Sequence, residues 1–220
     1  MAITLEDNYR HKGMRRKLVE IIRSKGITSK EVLAAIDALP RHFFFESTFL
    51  EFAYDDKPFP IGAGQTISQP FTVAFQTQLL KVEKGDRILE IGTGSGYQAC
   101  ILAQMGARVF TIERHKSLFK KVKEFLPKIG YGSIKVFYGD GFAGLPTFAP
   151  FDKILITAAV SHVPKILAEQ LKPGGLMVLP MGPDDVQIMT VVHKTADGEF
   201  TTEKHGAFRF VPMLPDKSEE

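Results

Sequence analysis

Three glycines at alternate positions, Gly92, Gly94 and Gly96, separate the apolar run "RILEI" from the helical pattern "YQACILAQ". Alternating glycines cost more backbone entropy than a plain turn requires. Their place between a buried strand and a helix predicts a turn where a ligand meets bare backbone. The dinucleotide fingerprint G-x-G-x-x-G would put its third glycine at Tyr97, so the register is off by one. The lysine of a G-x-x-x-x-G-K-[ST] phosphate loop is also missing. Glu113 ends the next apolar run, "RVFTIE", where a carboxylate can accept both hydrogen bonds of a ribose diol. Asp140 lies between Gly139 and Gly141 in "YGDGFAG". There it can accept from an exocyclic amine while a neighbouring backbone amide donates to the ring, which suits adenine. Glu90, just ahead of the turn, can meet an amino group directly or through water, and turn amides can meet a carboxylate. These residues fit a nucleoside with a charged amino-acid tail better than they fit a pyrophosphate.

The elements that must hold these residues are legible from Gly85 onward. Val-, Ile- and Leu-rich runs ("RILEI", "RVFTIE", "IKVFYG", "FDKILIT", "GLMVLPMG", "VQIMTVVHK") alternate with helical patterns ("YQACILAQM", "KSLFKKVKEFL", "VPKILAEQL"). That alternation predicts an α/β fold with a mostly parallel central sheet and helices on both faces. In such a sheet, ligands bind at the carboxyl ends of the strands near a topological switch. The first 50 residues predict a helical addition, with Thr28 and Glu31 as a capping box for "EVLAAIDAL". Residues 51–70 read as one long loop with a job to do. Ser68 and Pro70 read as the cap and first turn of the helix "PFTVAFQTQLL". "PDKSEE" reads as a frayed tail. The chain is expected to be a single domain, with helices and a substrate loop over 1–80 and the ligand-binding core over 81–214.

Composition narrows the class. With 220 residues, 44% of them hydrophobic, the chain can bury one sizeable core. A net charge of +3 is too small to argue for nucleic acid, and the basic cluster Arg10–Lys17 reads as a solvated helix face. The single cysteine, Cys100, excludes an internal disulfide framework and a cysteine-rich metal site; it sits in a helical apolar pattern as a buried thiol. No apolar run is long enough to span a membrane. A cytoplasmic monomer with no membrane or nucleic-acid partner is expected.

At this point a family resemblance can be stated. "LEIGTGSGYQACILA" resembles the glycine-rich motif of class I S-adenosylmethionine-dependent methyltransferases, which have a Rossmann-like fold. "PFPIGAGQTISQPFTVAFQTQLL", "GDGFAGLPTFAPFDKILITAA", "PKILAEQLKPGGLMVLPMG" and "FRFVPML" together resemble protein-L-isoaspartate O-methyltransferases, over about Leu18 to Leu214. The "GQTISQP" segment is the most specific of these.

The resemblance implies methyl transfer from S-adenosylmethionine to the free carboxylate of an isoaspartyl residue, leaving S-adenosylhomocysteine. The ester then collapses to a succinimide, which starts repair of the damaged protein. It also implies cofactor residues Glu90, Gly92, Gly94, Gly96, Glu113, Asp140 and Gly141. The implied substrate residues are Thr66, Ile67, Gln69, Arg209, Phe210 and Val211, with Ser68 beside the acceptor carboxylate. A carboxylate of pKa ~4 is already a nucleophile at neutral pH, so no strong base is needed and no metal is expected. His162 is therefore expected to be a surface residue. A class I methyltransferase acting on a small-molecule carboxylate or another acceptor is the alternative; "NPPY"-like and acidic metal motifs are absent from the sequence.

Overall fold

The computed structural model describes residues 5–183 and 185–219. The chain starts with two helices, α1 (Tyr9–Ser24) and α2 (Lys30–Ala38). Asn8 caps α1, its side chain accepting from His11 N at 3.1 Å. The cap of α2 is Ser29, not Thr28: Ser29 Oγ accepts from Val32 N at 3.3 Å and donates to Glu31 Oε2 at 2.9 Å. Thr28 and Ser29 instead give their backbone N–H groups to Gln78 Oε1, at 2.8 and 2.9 Å. One residue of the basic cluster is not solvated. Arg15 is only 5% exposed and forks onto Asp7 at 2.9 and 3.0 Å, which offsets the cost of burying its charge.

The stretch expected to be a plain loop contains an antiparallel hairpin, β1 (Phe59–Gly62) and β2 (Gln65–Ile67). Ala63 and Gly64 turn it, both at positive φ, 49° and 65°. A tight turn that matches strand twist requires such angles. Helix α3 (Pro70–Leu80) follows. Its N-cap is Gln69, and Ser68 makes no capping bond. The cap is supplied from further back: Asp56 Oδ1 accepts from Phe71 N at 2.8 Å. Asp56 Oδ2 also takes Gln69 Nε2 at 3.1 Å and Lys25 Nζ at 2.5 Å. An anion at a helix start is favoured by the dipole as well as by the orphan amides.

The remaining elements are β3 (Arg87–Ile91), α4 (Tyr97–Gln104), β4 (Arg108–Glu113), α5 (Lys116–Lys128), β5 (Lys135–Tyr138), β6 (Phe151–Ile156), α6 (Lys165–Glu169), β7 (Leu171–Met181), β8 (Gln187–Lys194) and β9 (Phe200–Phe208). They form a seven-stranded sheet in the order β5-β4-β3-β6-β7-β8-β9. The first five strands are parallel; β8 and β9 return antiparallel. Alternate side chains serve two cores. Ile88 joins the core shared with α1 to α5, whereas Leu89 and Ile91 join the one under α6 and the 3₁₀ turn Pro146–Phe148. Leu18 and Ile22 of α1 share the first core with Ile88 and Val191 of the sheet.

Chain order reverses between β3 and β6, so their carboxyl ends form the switch point. The tail crosses nearby and is not frayed. Ser218 N donates to Arg114 O at 2.7 Å, Lys116 N donates to Ser218 O at 3.0 Å, and Arg114 Nε donates to Asp216 O at 3.2 Å. Tyr138 and Lys116 hold the Glu219 carboxylate. No described helix is long and apolar enough to cross a membrane.

Candidate functional site

A cleft of about 1220 Å³ opens at the switch point. That exceeds the usual range for one small ligand, about 300–1,000 Å³. Its floor is the turn after β3. Gly92, Gly94 and Gly96 take φ of 95°, 53° and 82°, and each glycine answers a separate neighbour. A Cβ on Gly92 would sit 2.5 Å from Thr157 Oγ1, and one on Gly96 would sit 3.0 Å from Val122 of α5. At Gly94 the nearest atom would be Ile61 Cδ1 of the hairpin, at 3.5 Å. Gly92 and Gly94 line the cleft. Gly96 does not; its task is close packing between α4 and α5.

The turn's own amides are mostly committed. Gly92 N and Thr93 N donate to Ile112 O at 2.9 and 3.1 Å, Gly96 N to Thr93 O at 2.8 Å, and Gly94 N to Glu113 Oε2 at 2.8 Å. The expectation that these amides greet a ligand carboxylate therefore does not hold for Gly92, Thr93 and Gly94. Glu113 is only 3% exposed yet lines the cleft. Its other oxygen, Oε1, accepts from His115 N at 2.8 Å. Two backbone donors fix the carboxylate, and each oxygen keeps a lone pair for a further donor.

Glu90 is not on the cleft wall. Strand alternation turns it to the Ile88 face, beneath the start of α4, and it is 0% exposed. Thr111 Oγ1 donates to Glu90 Oε2 at 2.5 Å and lies 2.7 Å from Thr93 Oγ1, while Glu90 Oε1 has no partner. Burial pushes the Glu90 carboxyl up to about 8, against the Thr111 hydrogen bond and helped by the Glu113 charge. Asp140 is also off the wall: its Oδ1 caps the 3₁₀ turn Gly141–Ala143 by accepting from Phe142 N at 2.8 Å. Gly141 does line the cleft, and a Cβ there would meet Ile91 Cγ2 at 2.5 Å.

The cleft is also lined by Thr66, Ile67, Ser68 and Gln69 and by Arg209, Phe210 and Val211. Ile67 anchors its segment in the core at 3% exposure. Gln69 Nε2 donates to Asp56 O at 3.0 Å, and Phe210 N donates to Gln187 Oε1 at 3.0 Å. Ser68 Oγ makes no hydrogen bond among the described residues, while Arg41 Nη2 donates to Ser68 O at 2.8 Å. His162 lines a separate cavity of about 280 Å³, with its Nδ1 2.8 Å from Ser161 Oγ. Sequence reasoning missed Tyr97, Thr157 and Arg114 as cleft residues. Tyr97 had a signal, since a bulky residue right after the last turn glycine must pack somewhere.

The comparisons with known proteins agree on one family. The model described as protein-L-isoaspartate(D-aspartate) O-methyltransferase matches residues 13–218. A protein named protein-L-isoaspartate O-methyltransferase from Christiangramia forsetii is 51% identical over 97% of this chain and 100% of its own. A solved structure of the same name superposes with a TM-score of 0.81 and 28% identity, over 90% of this chain and 65% of that longer one. A Plasmodium falciparum protein of the family, solved with S-adenosyl-L-homocysteine, has a TM-score of 0.79 over 91% of this chain and 98% of its own. At 23% identity that last likeness speaks for the fold alone.

Proposed function

This chain belongs to the protein-L-isoaspartate(D-aspartate) O-methyltransferase family, and from that premise we propose how its cleft divides the work. The enzyme transfers the methyl group of S-adenosylmethionine to the free carboxylate of L-isoaspartyl residues, starting repair through a succinimide. S-adenosylmethionine supplies the methyl group on a sulfonium, an excellent leaving group. One acceptor oxygen forms the new O–CH₃ bond as the C–S bond breaks, its electron pair staying on sulfur. Anion and cation become a neutral ester and a neutral thioether, so no proton must move.

The cleft fits the cofactor on two observations. A Cβ at Gly92 would fill the cradle beside Thr157. On the cleft wall, the Glu113 carboxylate is fixed by two backbone donors and each of its oxygens keeps a lone pair for a further donor. We assign ribose recognition to Glu113 and adenine contacts to Gly141 with Asp140 shaping the turn behind it; Glu90, off the wall, supports the glycine turn from behind through Thr111 and Thr93. Glu113→Ala is expected to weaken cofactor binding by about 1.5–3 kcal/mol, because charge-assisted bonds and the hold on Gly94 go together. Calorimetry on the folded variant reads this, and an unchanged affinity sinks the assignment.

Ser68 is the acceptor-holding residue in this reading, and one observation carries it: its hydroxyl is uncommitted on the cleft wall while its carbonyl is pinned from behind. Alignment of acceptor and methyl carbon is the main task of the site, together with exclusion of water. Because Asp56 caps α3, Ser68→Ala should cost less than about 0.5 kcal/mol in stability. Its kcat/KM for an isoaspartyl peptide should fall about tenfold, equal to about 1.4 kcal/mol. Cofactor affinity should stay unchanged. Transfer at the wild-type rate would leave the acceptor to backbone amides of the hairpin. Thr66, Ile67, Gln69, Arg209, Phe210 and Val211 shape the rest of the peptide cleft.

The single-domain reading is supported by the core that α1 shares with the sheet. We propose a monomer. A cytoplasmic setting is consistent with Cys100 being a free buried thiol. We propose neither nucleic acid nor membrane as a partner.

A further inference from the structure

Arg41 is 0% exposed, one of the largest side chains fully enclosed by the protein. It opens the 3₁₀ turn Arg41–Phe44, directly after α2 and Pro40. Its Nη2 donates to Ser68 O at 2.8 Å. Its guanidinium carbon lies 4.7 Å from the centre of the Tyr97 ring and 5.5 Å from that of Phe45. Arg41 Nε and Nη1 make no hydrogen bond of good geometry, and the Tyr97 hydroxyl, likewise without one, lies near enough to the guanidinium to favour its charge. No carboxylate pairs with Arg41 among the described residues. Asp56, the acid whose charge reaches it, is committed to Lys25, Gln69 and Phe71. Burial of an unpaired guanidinium is costly, and packing alone would be better served by an apolar side chain. Two aromatic faces, the nearby Tyr97 hydroxyl and one carbonyl compensate the charge without a carboxylate contact.

Two cleft features meet at this one side chain. Ser68 belongs to the acceptor wall, and Tyr97 is the first residue of the helix that follows the glycine turn. Resting on the reading of Ser68 above, we propose that Arg41 is a positioning residue for the acceptor: it fixes the Ser68 segment against the cofactor helix and, one layer behind the wall, holds the positive charge that draws an ionised carboxylate into the cleft.

The two roles separate kinetically. Acceptor charge disappears as the ester forms, so a cation behind the wall stabilises the bound acceptor more than the transition state. Its loss must therefore appear in KM. The bond from Arg41 Nη2 to Ser68 O sets alignment, and its loss must appear in kcat.

Three variants of the full chain test this, Arg41→Lys, Arg41→Met and Ser68→Ala, each assayed where circular dichroism shows it folded. Arg41→Lys keeps the charge without the planar fork. It should lower kcat about fivefold and leave peptide KM within about twofold of wild type. Arg41→Met should in addition raise peptide KM about tenfold, with the dissociation constant for S-adenosylmethionine within about twofold in both. A folded Arg41→Met enzyme with wild-type peptide KM overturns the proposal. So does a parallel rise in the cofactor constant, which would mark general loosening. If Arg41→Met does not fold, an unchanged kcat in Arg41→Lys overturns it. A neutral Ser68→Ala beside an impaired Arg41→Met would remove the hydroxyl reading and leave Arg41 as the positioning group. The reverse pattern removes Arg41 and keeps Ser68.

Discussion

Gly92→Ala is expected to lose about 3 kcal/mol or more of stability and to bind S-adenosylmethionine at least about tenfold more weakly. Two costs add. At φ 95° an L side chain is strained, for about 1–2 kcal/mol. The new methyl group would also arrive 2.5 Å from Thr157 Oγ1. That oxygen cannot swing aside cheaply. Its one hydrogen is shared between Ile91 O and Gly92 O, both at 2.9 Å, and Thr157 N donates to Ile91 O at 3.0 Å. Those bonds join the ends of β3 and β6, the two strands that flank the switch point. In a chain of this size, about 3 kcal/mol corresponds to roughly 6–12 °C in Tm. The double variant Gly92→Ala/Thr157→Ala should recover the clash but not the backbone strain. Melting at the wild-type temperature by Gly92→Ala would mean that the turn can relax, and that the glycine is there for the ligand alone.

Gly92 was legible because a positive φ leaves few residue types to choose from, and the sheet because strands buried on both faces read as unbroken apolar runs. What escaped has other causes. Asp56 caps α3 from outside the helix, so the local rule nominated Ser68. Strand β9, "FTTEKHGAF", is an edge strand with mostly exposed residues and has no apolar run to announce it. The tail is held by backbone bonds to Arg114 and Lys116, which composition does not register. At the site, residues 66–69 and 209–211, which we propose bind the substrate, do line one cleft. Glu90 and Asp140 show the limit of motif reading. A motif gives position along a strand, but period-2 alternation decides which face receives the side chain. It sends Glu90 to the α4 face with Ile88 and leaves Ile91 on the cleft.

That buried acid carries the last prediction. In the folded chain, burial lifts the Glu90 carboxyl to about 8 from an ordinary 4.5. Between those values the folded state binds a proton that the unfolded state has released. Stability must therefore fall as pH rises across that window, by up to about 1.4 kcal/mol per pH unit, and level off above the folded pKa. Below about pH 4.5 the group contributes no slope, being protonated in both states. Glu90→Gln removes the titration and keeps an oxygen for the Thr111 hydroxyl, which donates at 2.5 Å. Urea midpoints at fixed ionic strength should therefore coincide only below about pH 4.5 and separate steadily toward pH 8, with the variant the more stable protein. Parallel curves would mean that water already solvates Glu90 Oε1. A carboxylate that lowers stability near neutral pH needs a reason to be there, and active sites are where such groups are kept. The same variant supplies the check: if Glu90 holds the glycine turn through Thr111 and Thr93, Glu90→Gln should gain stability at pH 8 and lose about tenfold in cofactor affinity. Gain without loss would reduce Glu90 to a structural acid beneath α4.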